Sequence, residues 1–485
     1  MACYDMTFIS YEFFPLEIEE INMTEQLRKG VLNFRQTLFQ GIAASAPAGA
    51  AVATMTGSAA YALGALPLAA LVAFAIVALN GYIIKRISSH VAGAGGYYDY
   101  IKMGFGKVPG TFSGWMYLLY QVTAMSFISL SIAVFVPALL SQIYSINIPS
   151  YSWFPLLVAS AGFGYLVSFG GIKGSLRYAM IMGSLEIIVV VFIGAWLVFQ
   201  HPSANTASVF TTKFASGGVS GVALGVLFMY TAFSGFGGMT PLGEETKDAR
   251  KVVGNAVLVS TLVLGLFFVF AAYAFTIGWG PLNMGSYANN LVPGITLADS
   301  NIGLWAAILI TIFYVNSILT DNVVFTNSVS RITLAMSRDG ALPLFLSRIH
   351  ETRKTPHLAG AIMVVASIAV GAVAVVTLGG FNAFIFTGTV ATLSALLVHM
   401  MANVSLPAIL HKKGSKIGFM NAVLPVAVSI ILVFVFYGTF ISISEPVVVA
   451  SVLFAAWAIF GIFYSILRAP SVKGYTREDL NAMVD

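Results

Sequence analysis

Two acidic residues lie inside long apolar segments of the chain. Glu186 lies in the segment 179–200, and Asp321 lies in the segment 302–330. An ionised side chain at the centre of a bilayer costs at least about 2.5–3.5 kcal/mol, so acids at such positions are expected to have a function. Glu186 and Asp321 are therefore candidates to carry a proton, to bind a cation or to contact a basic group of a ligand.

Asp321 belongs to a polar stripe at helical spacing. Tyr314, Ser317, Asp321 and Ser328 fall on one face of a helix that is otherwise apolar. We expect this face to line a cavity rather than lipid, because polar groups are costly in hydrocarbon.

Two other apolar segments are interrupted by helix-breaking residues. Pro47 and Gly49 lie in the middle of the first segment, and the sixth segment contains Gly235, Gly237 and Gly238. Proline removes a backbone donor and clashes with the preceding turn, and each glycine lowers helix propensity by about 1 kcal/mol. The first and sixth segments are five apart, so a repeat that starts at the sixth would have inverted topology. Interrupted helices at matching positions of inverted repeats indicate a binding site at the membrane midplane.

The interruptions supply the predicted binding residues. The half-helix that starts after the first break would offer its N–H groups to a carboxylate, and the carbonyl groups of the sixth segment would suit an ammonium group. We expect Phe233 and Phe236, one turn apart, to form an aromatic gate or a wall of the pocket. The predicted substrate-binding residues are Ser45, Ala46, Ala48, Gly49, Phe233, Ser234, Gly235 and Phe236.

Twelve apolar segments carry these residues, and each approaches or exceeds the roughly 20 residues that a bilayer-spanning helix requires. They are 34–58, 63–86, 110–140, 152–170, 179–200, 219–242, 254–279, 302–330, 358–377, 380–403, 418–440 and 446–468. With the exception of Lys213, every Lys and Arg falls on one side of this arrangement. Short cytoplasmic loops carry the Lys and Arg excess, so both termini are predicted to be cytoplasmic.

The spans group into two repeats and two further helices. The predicted organisation is a cytoplasmic arm at 1–30, a five-helix repeat at 31–200, an inverted five-helix repeat at 201–410, two helices at 411–468 and a cytoplasmic tail at 469–485. We expect Glu244 and Glu245 to form a salt-bridge cluster with the neighbouring Lys247, Arg250 and Lys251, and not to act in binding.

Composition excludes several other classes of protein. The chain is 58% hydrophobic and 9% charged, whereas a soluble domain carries about 25% charged residues. The net charge of +5 follows from the one-sided Lys and Arg distribution and does not indicate a nucleic-acid partner. Cys3 is the single cysteine, which excludes an intrachain disulfide framework and a multi-cysteine metal site.

Four stretches resemble the amino acid–polyamine–organocation superfamily of permeases. They are the break at Ser45–Gly49, the run Gly93-Ala-Gly-Gly-Tyr-Tyr-Asp-Tyr100, the run from Gly235-Phe236 to Glu244-Glu245-Thr-Lys247, and Ser330-Arg331 with Ser337-Arg338-Asp339-Gly340-Ala-Leu-Pro343. Ala46-Pro47-Ala48-Gly49 departs from the glycine-rich break of the family. The resemblance implies an all-α membrane fold of two inverted five-helix repeats with broken helices 1 and 6, plus two C-terminal helices. It also implies alternating access and a substrate with an amino and a carboxyl group.

The leading hypothesis is a secondary active transporter of amino acids in the cell membrane, driven by proton symport. By resemblance, Glu186 falls where some proton-dependent relatives have a lysine, and Asp321 lies near a position where sodium-coupled relatives hold sodium. Sodium-coupled symport and amino acid or polyamine exchange are the alternatives, and a membrane-embedded enzyme is a remote one. We expect no cofactor other than a coupling proton or sodium ion, an amino acid and the lipid bilayer as partners, and a monomer or weak oligomer.

Overall fold

A computed structural model describes residues 26–440 and 445–475 of the chain, so most of the predicted N-terminal arm and part of the tail lie outside the described residues. The α-helices are α1 Phe34–Ala43, α2 Pro47–Gly49, α3 Met55–Ala62, α4 Leu66–Ser88, α5 Tyr97–Phe105, α6 Lys107–Leu130, α7 Val136–Tyr144, α8 Trp153–Phe169, α9 Ile172–Gln200, α10 Val219–Ala232, α11 Ala249–Trp279, α12 Met284–Ala288, α13 Pro293–Asn301, α14 Leu304–Arg338, α15 His357–Leu378, α16 Gly380–Lys412, α17 Phe419–Gly438 and α18 Glu445–Arg468.

Shorter helical turns connect or interrupt these helices. Two π-helical turns lie at Ala50–Thr54 and Ser131–Phe135. The 3₁₀ turns are Leu63–Ala65, Ser150–Ser152, Pro202–Ala204, Ala207–Phe210, Thr212–Phe214, Ser234–Gly237, Thr240–Glu245, Leu344–Ser347 and Ala469–Ser471. Among the described residues, β pairing is limited to one parallel bridge between Leu32 and Thr246. The predicted all-α membrane fold is confirmed.

Ten helical segments of the described chain are long and apolar enough to cross a bilayer, or eleven if α10 and the 3₁₀ turns after it form one bent span. One of the ten is the 55-residue segment Phe34–Ser88, which contains the first two predicted spans. Leu63 separates α3 from α4 with a positive φ of 46°. The count of twelve spans stays a prediction.

The first predicted break is present, and its local cause is the proline. α1 starts with a capping box between Asn33 and Gln36 and ends at Ala43. Ala46 then takes a left-handed conformation with φ 39° and ψ 68°, and Pro47 starts α2. The ring of a proline disfavours the α conformation of the residue before it, which stops the first helix at this point.

The second predicted break follows from the glycine-rich run. α10 ends at Ala232, and the chain continues as the 3₁₀ turns Ser234–Gly237 and Thr240–Glu245. The two parts are bent by 44°. α14 packs against α2, α6, α8, α9 and α15, so the helix that carries Asp321 lies in the middle of the bundle.

A buried charged cluster lies outside the apolar spans, where α5 meets the end of α14. The side chain of Asp99 accepts a hydrogen bond from the Gly95 N–H at 2.9 Å and lies 4.0 Å from the Lys102 ammonium. Lys102 also pairs with Asp339, and the Tyr98 hydroxyl donates to Asp339 at 2.8 Å. Burial raises the pKa of Asp99 to about 6, although the Lys102 charge opposes this shift.

The raised pKa of Asp99 predicts a pH dependence of stability. The folded state holds the Asp99 proton more tightly than the unfolded state, so stability falls as the pH rises from about 4 through 6. The fall amounts to at most about 3 kcal/mol, since each pKa unit is worth about 1.4 kcal/mol. We expect Asp99→Asn to raise the melting temperature in detergent at pH 7–8 and to leave it unchanged near pH 4. Equal pH profiles for the wild type, Asp99→Asn and the exposed control Asp299→Asn would contradict this.

Candidate functional site

A cavity of about 60 Å³ lies between the two breaks. Of the predicted site residues, Ser45, Ala46, Gly49, Ser234 and Asp321 line it. α6, α14 and α16 close the remaining sides, with Tyr120, Ala124, Ile318, Phe325, Gly388 and Thr392 among the lining residues. The structure thus places residues of both breaks at a single site. Asp321, one of the two acids within the predicted spans, lies at the same site.

Two buried polar atoms in this cavity have no hydrogen-bond partner. They are Oδ1 of Asp321, a residue that is 5% exposed, and the hydroxyl of Ser45, a residue that is 6% exposed. Buried polar groups in folded proteins are nearly always hydrogen-bonded to protein or to ordered water, so these two atoms can bind a solute or water in the cavity. Asp321 and Ser45 therefore mark the polar side of the site.

Glu186 does not line the cavity. Its Oε1 accepts a hydrogen bond from Nδ2 of Asn316 at 2.9 Å. Its helix, α9, packs against both α2 and α14. Glu186 therefore bonds α9 to α14 and lies behind α2, and Ala48 is not among the residues that line the cavity.

The two predicted gate residues lie elsewhere, which corrects the expectation for them. The ring of Phe233 packs edge-on against Phe268 of α11, with 5.0 Å between ring centroids. Phe236 packs against His399, also at 5.0 Å. Both side chains are fully buried among side chains of other helices and do not line the cavity.

Tyr120 and Phe325 are two aromatic residues that do line the cavity between the breaks. The Tyr120 hydroxyl donates to the Ser234 carbonyl oxygen at 3.0 Å, and the two rings meet edge to face at 5.8 Å. Both residues line the main cavity and also a second, smaller cavity of about 10 Å³. Phe325 lies four residues after Asp321 on the polar stripe, so its helical position could have identified it. No comparable signal was available for Tyr120.

The two glycines of the predicted site are points of close helix approach. A Cβ on Gly235 would lie 1.5 Å from the carbonyl oxygen of Ala44, and a Cβ on Gly49 would lie 2.9 Å from Cδ1 of Ile318. The Gly49 N–H donates to the Ser317 hydroxyl oxygen at 3.2 Å. At Gly235 the neighbour is therefore protein backbone, which differs from the expectation that substrate approaches there.

The second cavity leads toward the end of the bundle that carries Lys102, Arg331 and Arg338, called the basic end below. It is lined by Gly235, Gln121, Tyr97 and His399 among others. His399 Nδ1 lies 2.9 Å from the Tyr230 hydroxyl. Oε1 of Gln121 and the Tyr97 hydroxyl have no partner, so this cavity also has unsatisfied polar groups.

Side-chain contacts close the bundle beyond the second cavity. Gln40 of α1 donates to the carbonyl oxygens of Gly238 and Val324 at 3.2 and 2.8 Å. Arg331 and Glu245 form a fully buried ion pair, with Nε 2.7 Å from Oε2. Glu244 pairs with Arg338. Both glutamates therefore form ion pairs with arginines of α14, which were not the partners predicted for them.

Within residues 26–440 and 445–475, no group of three or more His, Cys, Asp or Glu side chains could hold a metal ion. Asp321 is an acid that lines the main cavity, so its carboxyl group can pair with a cationic group there.

Comparison with known proteins places these residues in a family context. Residues 36–479 match the amino acid permease family. The low-affinity putrescine importer PlaP of Escherichia coli (strain K12) is 27% identical over 331 residues, 65% of this chain and 70% of that protein. The branched-chain amino acid permease BcaP of Bacillus subtilis (strain 168) is 27% identical over 327 residues, 64% and 68% of the two chains. The methylthioribose transporter of the same strain is 25% identical over 366 residues, 70% and 74%.

Proposed function

We propose that this chain, which belongs to the amino acid permease family, is a secondary active transporter of small solutes that bear an amino group, either amino acids or amines. The chain is a multi-pass membrane protein of a permease family and not an enzyme. One observation carries the proposal: Oδ1 of Asp321 and the Ser45 hydroxyl, both buried and unpartnered, lie beside a cavity between two broken helices. A substrate ammonium group would supply the missing hydrogen bonds and the compensating charge.

Transport would proceed by alternating access around this cavity. The positive-inside rule assigns the basic end to the cytoplasm. In the described conformation that end is closed by Tyr120 and Phe325 and, further along, by Gln40 and the Arg331–Glu245 pair. Release to the cytoplasm would require these contacts to separate, and the second cavity would become part of the exit path.

We assign the coupling ion to a proton carried by Glu186. This carboxyl group accepts a hydrogen bond from Asn316 of α14, and its helix packs against α2, so a change in its charge would alter the packing beside the broken helix. Sodium coupling, with the ion near Asp321, and substrate exchange are the competing mechanisms.

The role of Asp321 is tested by Asp321→Asn. Charge-assisted hydrogen bonds contribute about 1.5–3 kcal/mol, so we expect at least a tenfold loss of affinity for every substrate that the wild type binds. Binding is measured on purified protein without an ion gradient, which separates a binding role from a coupling role. Asp299→Asn, an exposed acid on α13, is the matched control. Unchanged binding by Asp321→Asn would remove Asp321 from the substrate site.

A further inference from the structure

We infer that Tyr178 is a positioning residue for Glu186, because its hydroxyl group fixes the side-chain amide of Asn316 so that this amide donates to the Glu186 carboxyl group. Tyr178 thereby influences the pH at which Glu186 takes up and releases its proton. This role rests on the proposed coupling function of Glu186 and adds a second residue of α9 to it.

Hydrogen bonds link Tyr178 to Glu186 through one amide group. The Tyr178 hydroxyl donates to Oδ1 of Asn316 at 2.8 Å. On the other side of the same amide, Nδ2 donates to Oε1 of Glu186 at 2.9 Å. Tyr178 and Glu186 both belong to α9, and Asn316 reaches them from α14. The bond from Tyr178 therefore keeps the amide oxygen turned away from Glu186.

Thr320 supports the same orientation of the amide. Its hydroxyl hydrogen is used, because it donates to the backbone carbonyl oxygen of Asn316 at 2.8 Å. Its oxygen lies 3.4 Å from Nδ2 of Asn316 and can accept a hydrogen bond there. A flipped amide would place Oδ1, which is only an acceptor, against the oxygen atoms of both Thr320 and Glu186. Tyr178 and Thr320 therefore select one of the two orientations.

The selected orientation favours the carboxylate form of Glu186 over the neutral acid. A hydrogen bond donated to an ionised carboxyl group stabilises its charge, and such a bond is stronger than one between neutral groups. Glu186 is 1% exposed, so little water is available to replace the amide. The orientation of Asn316 therefore affects how readily Glu186 is protonated.

Asp321 is the other acid among the helices that pack against α9, which are α1, α2, α8, α11 and α14. The charged residues of these helices are Arg35 on α1, Arg250 and Lys251 on α11, and Asp321, Arg331 and Arg338 on α14, and their tyrosines are Tyr165, Tyr273 and Tyr314. α9 itself also carries Lys173 and Arg177 in its first two turns. The titration of Asp321 must therefore be distinguished from that of Glu186.

Tyr178→Phe removes the hydroxyl group and keeps the ring. The ring packs edge-on against Phe163 of α8, with 5.9 Å between ring centroids, and phenylalanine preserves this contact. The Asn316 amide is then less restrained, and its oxygen can accept the proton of a neutral Glu186. We expect the pH midpoint of Glu186 protonation to rise by at least about half a pH unit, which corresponds to the loss of one ordinary hydrogen bond.

Infrared difference spectroscopy of the purified protein measures this midpoint without a substrate. The C=O stretching band of protonated carboxyl groups is followed as the pH is changed. The band that disappears in Glu186→Gln belongs to Glu186, and the band that disappears in Asp321→Asn belongs to Asp321. Tyr165→Phe is the matched control, since its hydroxyl donates to the carbonyl oxygen of His357 on a different helix, and it should leave the Glu186 midpoint unchanged.

A second variant tests the other side of the amide. Thr320→Val removes the acceptor for Nδ2 of Asn316 and should also raise the Glu186 midpoint. An unchanged midpoint in Tyr178→Phe, or a lower midpoint in either variant, would overturn the positioning role and leave the coupling role of Glu186 intact. A Glu186 band that does not titrate in the wild type would overturn both roles. Transport of amino acids or amines is tested separately, by the binding measurements on Asp321→Asn.

Discussion

Glu186→Gln should bind and exchange substrate but lose accumulation driven by a pH gradient. Glutamine imitates the protonated carboxyl group and cannot release a proton, so the contact to Asn316 no longer changes with protonation. Each pKa unit of difference between outward-facing and inward-facing states contributes about 1.4 kcal/mol of coupling, or a factor of ten in accumulation. Counterflow and gradient-driven uptake in reconstituted vesicles measure the two activities separately.

The matched control for this variant is Glu351→Gln, an exposed glutamate in the connection before α15. It should transport as the wild type does. Undiminished proton-driven accumulation by Glu186→Gln would refute the coupling role. Strict sodium dependence of the wild type would move the coupling ion to a cation site around Asp321.

Arg331→Met should lower the free energy of unfolding by about 3–5 kcal/mol, because it leaves the Glu245 carboxylate buried without its cation. Arg331 is 0% exposed and contacts both carboxylate oxygens of Glu245, at 2.7 and 3.1 Å. The backbone carbonyl oxygen of Glu245 also accepts the N–H groups of Val31 and Leu32. The pair therefore holds together α14, the end of the second break and the chain before α1. Denaturant or thermal unfolding in detergent measures the loss.

The neighbouring pair Arg338–Glu244 offers a control of the same composition. Its side chains are 30% and 33% exposed, and exposed pairs contribute about 0–1 kcal/mol, so Arg338→Met should have a small effect. The double variant Arg331→Met with Glu245→Met should recover much of the stability, since it leaves no unpaired charge. Equal losses for Arg331→Met and Arg338→Met would show that burial does not set the strength of these pairs.

Local chemistry explains which parts of this site the sequence could predict. Pro47 and Gly49 lie two residues apart in the middle of an apolar segment, so the first break was predictable to within a few residues. An acid in an apolar span is expected to have polar surroundings. Glu186 has them in Asn316, which donates a hydrogen bond to it. Asp321 has them in the cavity that it lines. The polar stripe of α14 likewise follows from helical spacing, and Ser317, Asp321 and Ser328 all lie in the interior.

The remaining features depend on distances between segments that are far apart in sequence. A sequence does not show that Glu186 of α9 lies behind the half-helix and accepts a hydrogen bond from Asn316 of α14. The packing partners of Phe233 and Phe236 lie on α11 and α16, far away in the sequence. The partners of Glu244 and Glu245 are set by where α14 ends beside them, and nearer basic residues in the sequence gave the wrong pairing.

Gradient-driven uptake by the reconstituted wild-type protein tests the central claim most directly. Vesicles are given an inward proton gradient, an inward sodium gradient or no gradient, and accumulation of a radiolabelled amino acid and a radiolabelled amine is followed with and without a protonophore. The account predicts accumulation under the proton gradient alone and its collapse with the protonophore. Absence of accumulation of any amine or amino acid under every gradient would contradict it.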